Sequence, residues 1–497
     1  MTMDFEQQAS LILAAEDCES ADFNRLHKFG SNEERLISKL IAHGPVLLRG
    51  GRGCGKSALM IEASRRVAPV VTEAPAFGVY ISLRHLQLLK SRDSAYERAL
   101  CQIIIRSLQG NLVGEEFSSE SNVESLQMAL SKLSSKLDKR IILFFDDAAH
   151  IGREASLADF FEIFRTISSS TVSCKATIYP RVTRFGTRFD VFNDATLLDV
   201  SRAEEIPGFA DLFADIMQAR YPDALSDNVF SRSLSKKQVA AFLGQAVVGN
   251  MRAFVFACNE LSLRLQGGTV TVGLPELGDI LLHLATNHFW PLLEELKPKL
   301  GIYEPLISPA QNIAEIIFEK CGKNDARRSI TIHRDILERI PKPFEILEYV
   351  GFIAKREASR SLKSGGRGAC YVLNLCDLLE KSTCARLTKE LFDRWSAPMP
   401  EPVEFHLKGT ELQSVLMPEL KQDAEIAILG KPIEKLRKSN AYPYGLTEAK
   451  IGTLLAAEIK TVGDLASASD ERLDALPTVG PANVRRFRNV VGQAIWM

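Results

Sequence analysis

Cysteine is scarce in this chain and follows no pairing pattern. There are nine in 497 residues, an odd number, and no two stand in a C-x-x-C spacing. The nearest to a cluster, Cys370, Cys376 and Cys384, has no histidine at ligand spacing, so neither a disulfide framework nor a structural zinc site is expected. Long apolar runs are also missing. The central run Ile141 to Phe145 falls far short of the ~20 residues a bilayer-spanning helix needs. The opening MTMDFEQQAS is acidic and lacks the basic-then-apolar order of a secretory leader. Nor is there an excess of either charge: 61 Lys plus Arg face 62 Asp plus Glu, a net charge of -1. Without a global basic field, any nucleic-acid contact must come from local patches. No repeat of fixed period is evident. A soluble, reduced, cytoplasmic protein with no membrane segment is expected.

The composition itself is globular, with 46% hydrophobic and 25% charged residues, which excludes wholesale disorder. The length exceeds what one core can organise, so two to four domains are expected. After a helical lead over residues 1–28, short apolar runs alternate with helical stretches from 29 to 201. The runs are Val46 to Leu48, Val79 to Leu83, Ile141 to Phe145, Ala176 to Tyr179 and Ala195 to Val200. Near-continuous apolar strands separated by helices predict an α/β fold with a parallel sheet covered on both faces. Residues 202–304 lose the strand runs and show helical periodicity, predicting a helical domain. Residues 305–395 read as helices followed by a hairpin around Ser364 to Gly368. The proline-containing stretch Ser396 to Pro402 cannot continue a helix, so 396–440 is taken as a linker. Residues 441–497 are compact and helical.

The strongest chemical signal is Gly50-Gly51-Arg52-Gly53-Cys54-Gly55-Lys56-Ser57, which fits G-x-x-x-x-G-K-[ST]. An apolar strand leads in and a helical stretch beginning at Ala58 leads out. Glycines let backbone N–H groups curl around a phosphate, and the helix N-terminus adds its positive end. Lys56 can reach the β/γ-phosphate oxygens of ATP, and the Ser57 hydroxyl can hold Mg²⁺. Residues Gly50 to Ala58 are therefore the expected nucleotide cradle, with Cys54 read as a small filler. Ninety residues after Lys56, the apolar strand ends in Asp146-Asp147. A buried strand whose carboxyl end opens at the ligand is where a second Mg²⁺ anchor belongs. Asp146 is expected to contact the metal, and Asp147 to orient or deprotonate the attacking water.

With these motifs in place, residues 29 to 265 resemble the AAA+/STAND class of ATPases, within it the origin-recognition, replication-initiator-like branch. Phe29-Gly30-Ser31-Asn32-Glu33-Glu34 is similar to the segment that precedes the P-loop there. Gly78 to Leu83 matches the second strand, and Gly249-Asn250-Met251-Arg252-Ala253 is similar to the G-N-x-R sensor-2 motif. The resemblance implies that the 29–201 core is a P-loop αβα sandwich, that 202–304 form a helical lid, and that Arg252 reaches the γ-phosphate and reports its loss to that lid. Two departures stand out. The acid pair is Asp-Asp, as in STAND switches, where hydrolytic AAA+ members have Asp-Glu, so slow turnover is expected. The sensor-1 position falls on Thr177 or Tyr179, and Arg181, Arg184 and Arg188 are the places for an arginine finger acting across a subunit boundary.

The same resemblance leads one to expect a winged helix over 310–380. Its wing, Lys355 to Arg367, carries five basic residues (Lys355, Arg356, Arg360, Lys363, Arg367) against Glu357 alone, and could grip phosphate. The presumptive recognition helix, Pro343 to Val350, has Glu345 and Glu348 and no base, so sequence-specific readout is not expected. Residues 442–496 resemble helix-hairpin-helix modules, especially the C-terminal domain of the bacterial RNA polymerase α subunit. The match lies in Ile459 to Leu465 and Leu473 to Pro481. Arg485, Arg486 and Arg488 occupy the following helix, but Thr478 stands where the first hairpin glycine belongs. Over 441–497 six basic residues balance six acidic ones.

The expectation is thus an ATP- and Mg-dependent switch that contacts DNA through Lys355, Arg356, Arg360, Arg485 and Arg486, in a replication, mobile-element or antiphage defence setting. Homo-oligomers or a partner protein are compatible with it. The rival reading is a non-hydrolysing signalling scaffold that docks a partner protein through its C-terminal module.

Overall fold

The computed structural model describes residues 14–83, 94–112, 116–149, 154–180, 185, 189–268, 271–399, 401–419, 428–438 and 445–496. Five strands, β1 (Val46–Arg49), β2 (Ala76–Ser82), β3 (Arg140–Ala149), β4 (Val172–Ile178) and β5 (Thr196–Asp199), form one sheet in the order β2-β3-β4-β1-β5. All pairings are parallel. The five apolar runs in the sequence fall on these five strands.

Alternation along β3 shows why its apolar run is unbroken. Ile141, Leu143 and Phe145 pack with the helices Ser94–Asn111, Val123–Leu137 and Glu154–Ile167 on one face. Ile142 and Phe144 pack with Ser31–Ile41 and Lys56–Arg66 on the other. Because side chains alternate across a strand, both sets must be apolar when both faces are covered. Parallel strands open their carboxyl ends along one edge, and β1 sits between β4 and β5, so the loop after Arg49 and the acids ending β3 converge there.

Beyond the sheet come the helices Phe209–Arg220, Lys236–Ala246, Met251–Gln266 and Leu274–Leu284. They share one apolar core with the helix Ile307–Lys323 and a second sheet made of β6 (Ser329–His333), β7 (Ile353–Ser361), β8 (Arg367–Leu373) and β9 (Val403–Phe405), in the order β7-β8-β6-β9. The β7–β8 hairpin turns at Ser364 to Gly366, with Gly365 and Gly366 at φ +94° and +82°, the left-handed region that glycine occupies without strain.

One expectation needs correction, and another gains a physical basis. The stretch 396–440 is not a featureless linker, because Val403–Phe405 joins the sheet parallel to β6. And the helix Pro341–Val350 does not present a free face: Phe344, Ile346, Leu347, Tyr349 and Val350 are all buried. The C-terminal helices Glu448–Ala456, Val462–Ser467, Asp470–Asp474 and Pro481–Trp496 close on a separate core around Leu454, Val462, Leu465 and Phe487. Among the described residues, no helix is long and apolar enough to cross a membrane.

Candidate nucleotide site

The loop from Gly50 to Gly55 turns β1 into the helix Lys56–Arg66. Gly53 and Gly55 adopt φ +77° and +90°, and a Cβ on Gly53 would stand 2.5 Å from Asn250 Oδ1 and 2.9 Å from the Arg252 Cβ. The 249–253 motif therefore packs directly on the loop. Asn250 Nδ2 donates to the Arg52 carbonyl at 2.8 Å, and the Arg252 amide donates to the Gly53 carbonyl at 3.2 Å. From the other side Arg202 donates to the Cys54 carbonyl and pairs with the buried Glu33 at 2.9 Å. Sequence reading quoted Glu33 only within a motif and did not single out Arg202. Once the fold buries Glu33 that carboxylate needs a cationic partner, and no local sequence pattern marks Arg202, 169 positions on, as that partner.

Lys56 is 6% exposed. Its ammonium donates to the carbonyls of Gly50 at 2.7 Å and Gly51 at 3.0 Å, and lies 3.9 Å from the centre of the Tyr179 ring. Tyr179 in turn meets Tyr349 edge-on at 4.7 Å. Of the two sensor-1 positions, Tyr179 thus supports the lysine. Thr177 serves the acids: its hydroxyl donates to Asp146 Oδ1 at 2.7 Å and accepts from the Asp147 amide at 2.9 Å.

Asp146 is fully buried and also accepts from the Tyr80 hydroxyl at 2.7 Å. Burial, with the neighbouring Asp147 charge, pushes its carboxyl above the ordinary range, while hydrogen bonds from Ser57, Tyr80 and Thr177 act the other way. Asp147 sits at φ +55°, a left-handed conformation uncommon for a non-glycine residue but tolerated by aspartate. It lines, together with Arg52, Gly53, Lys56, Ser57, Tyr179 and Arg252, a cavity of about 130 Å³. Ser57, Asp146 and Asp147 offer only hard oxygen donors beside an anion-cradling loop, a donor set that fits Mg²⁺. The structure thus brings together the residues expected from Gly50 to Ala58, Asp146, Asp147 and Arg252.

The lead segment belongs to the site as well. Glu16, Leu26, His27 and Lys28 line the same cavity. His27 stacks on Phe23 at 4.3 Å, and burial, with Arg220 nearby, pulls its pKa down to about 4.

The helix Pro341–Val350 ends against the loop. The Arg52 amide donates to the Tyr349 carbonyl at 3.0 Å, and a Cβ on Gly51 would lie 3.2 Å from the Glu348 carbonyl. A second cavity, of about 370 Å³, lies between this helix, the loop and β7. At its rim Glu204 pairs with the buried Arg328 and, at 3.0 Å, with Arg356. Arg356 is thereby removed from the set expected to face DNA, because the sheet turns it inward toward a carboxylate. Arg360 pairs with Glu357 at 3.0 Å, and Lys363 with Glu401 at 2.6 Å. In the C-terminal module Arg486 donates to the Gly445 carbonyl at 3.3 Å, and Arg488 pairs with Asp470 at 2.7 Å. Thr478 does take the left-handed conformation of the hairpin glycine, at φ +63°. Arg181, Arg184, Arg188 and the side chain of Arg485 lie outside the described residues.

No protein-family model matches the chain, and no curated protein matches it. Solved structures do. A Walker-type ATPase of Pyrococcus abyssi is 14% identical, covering 70% of this chain and 93% of that one, with a TM-score of 0.44. The ORC1 protein of Aeropyrum pernix, solved in complex with DNA, is 15% identical over 78% of this chain and 95% of that one, TM-score 0.31. A STAND protein with a tetratricopeptide repeat sensor from Pyrococcus horikoshii is 12% identical over 72% of this chain and 43% of that one, TM-score 0.30. On its own strand order and loop placement, the chain has a mixed α/β fold, a five-stranded parallel sheet with a glycine loop after β1, and at low identity it is similar to these solved structures.

Proposed function

We propose that the chain is an ATP- and Mg²⁺-dependent switch that hydrolyses ATP slowly and uses nucleotide state to set how the 305–396 region docks on the P-loop. The observation that carries this reading is the convergence of Lys56, Ser57 and Asp147 on one cavity whose wall also includes Arg252, with the buried Asp146 hydrogen-bonded to Ser57 behind that wall. With ATP in that cavity, Lys56 would exchange its loop carbonyls for β/γ-phosphate oxygens, a stronger, charge-assisted contact. Ser57 and Asp146 would hold Mg²⁺, which neutralises charge on the phosphates. Asp147 would orient the attacking water and accept its proton, and Arg252 would bind the γ-phosphate while its backbone stays tied to Gly53. Loss of that phosphate would release the lid. The helix Pro341–Val350, bonded to the same loop, would feel the change through Arg52.

DNA is the proposed output, held by backbone contacts from the β7–β8 hairpin and the C-terminal helix. One observation favours the second reading, a scaffold that docks a partner protein: Arg356, Arg360, Arg486 and Arg488 are all engaged within the chain. An ATPase assay with and without duplex DNA separates the two. Stimulated turnover supports the DNA switch, and indifference to DNA at every nucleotide state supports the scaffold.

A further inference from the structure

The turn Ala15–Asp17 reaches the metal-binding acids from outside the sheet. Glu16 Oε1 lies 2.9 Å from the Tyr80 hydroxyl, and Glu16 Oε2 lies 3.4 Å from Ser82 Oγ. The same Tyr80 hydroxyl stands 2.7 Å from Asp146 Oδ2. A phenol carries one hydrogen and donates to one acceptor at a time. Two carboxylates therefore share one hydroxyl. Oxygens of Glu16, Asp146 and Asp147 all fall within 4.8 Å of one another. Independently of that crowding, Glu16 lines the cavity that holds the phosphate loop, with Lys56 and Ser57 in the same wall. A divalent cation accompanying a nucleotide there would relieve the repulsion among the three acids.

We propose that Glu16 is a third carboxylate of the Mg²⁺ site, so that the metal ties the 15–26 segment to the nucleotide pocket. This rests on the ATP–Mg²⁺ reading above. It assigns the role to a residue 130 positions before the Asp146-Asp147 pair, on an element outside the sheet. It also gives the lead segment a purpose: the helix Ser20–Leu26 and His27 border the same cavity, so cation binding at Glu16 holds that wall in place. Glu16 has one CH₂ more than Asp147, so the site gains the longer carboxylate that its Asp-Asp pair lacks.

The test uses the full-length chain with Mn²⁺ as the probe, its affinity read by electron paramagnetic resonance. ATP binding is measured separately by calorimetry, both with Mg²⁺ and in EDTA, and amide hydrogen exchange is followed over residues 15–26. Glu16→Gln should weaken Mn²⁺ binding by about tenfold or more, the scale on which losing a partner of a metal site acts. Mn²⁺ should slow exchange over 15–26 in the wild type and not in Glu16→Gln, while Glu16→Asp should recover part of both effects. A matching melting curve for Glu16→Gln separates this result from misfolding. Unchanged Mn²⁺ affinity in Glu16→Gln, when Asp146→Asn loses it, would overturn the assignment. So would Mn²⁺ binding that leaves exchange over 15–26 untouched. Absence of ATP binding by the wild type would instead overturn the nucleotide reading itself, whatever the Mn²⁺ result.

Discussion

At the scale of single residues, the site depends on a chain of short polar contacts in a dry place. Asp146 is held by Tyr80 and Thr177, while Asp147 keeps its carboxyl toward the cavity through an unusual backbone conformation. Under the proposed function, Asp147→Asn should leave ATP binding intact, since Asp146 and Ser57 would still hold Mg²⁺, yet lower turnover by about 10²-fold or more, the range for a lost general base. Wild-type turnover in that variant, by phosphate release, would move the role elsewhere. A second prediction concerns pH. Burial lowers the folded-state pKa of His27 to about 4 and that of His288 to about 3. For both groups the unfolded chain binds protons more readily, so their contribution is complete above about 6.5 and lost as pH falls toward 4. Melting temperature should drop across that window, and less steeply in His27→Gln. Of these residues, the loop from Gly50 to Ser57 and the Asp146-Asp147 pair could be brought together from sequence, because each follows an apolar strand of one parallel sheet and such strands open their carboxyl ends along one edge. Glu16 and Arg202 were not, because nothing local in sequence says which distant groups a lone acid or arginine will meet.

At the scale of elements, the five strands could be read directly, since a strand covered on both faces must be apolar throughout. The helix Pro341–Val350 was legible only in part. Its periodicity identifies a helix with a wide apolar face, but not what covers that face. Glu345 and Glu348 argued against a DNA groove, and the structure supplies the physical account: the helix ends on the phosphate loop through Tyr349. The Glu204 pairs with Arg328 and Arg356 hold this docking. Removing one partner of a buried ionic cluster typically costs about 3–5 kcal/mol, so Glu204→Gln should lower the melting temperature clearly. An unchanged melting curve would show that the pairs do not hold the two regions together. Arg252→Ala should still bind nucleotide but lose the nucleotide-dependent change in protease sensitivity around the lid.

At the scale of the whole molecule, charge is nearly balanced and many surface arginines already have carboxylate partners. Duplex binding, as the proposed output, should therefore be weak, indifferent to sequence and sensitive to salt. Each phosphate contact contributes about 0.9 to the log–log salt slope, so four contacts would give about -3.6. Arg360→Glu with Lys363→Glu should flatten the slope, whereas Arg356→Glu should lower the melting temperature first, because its partner is Glu204. Tight, sequence-selective binding that survives about 300 mM salt, roughly twice physiological, would contradict this.

The central claim is that the loop around Lys56 binds ATP. Isothermal calorimetry of the wild type and Lys56→Ala tests it most directly. Lys56 touches its own loop carbonyls and the Tyr179 ring, so the variant should keep its fold by melting curve and lose most of its affinity for ATP with Mg²⁺. Equal affinity in the two proteins, or no ATP binding by the wild type, would contradict the account.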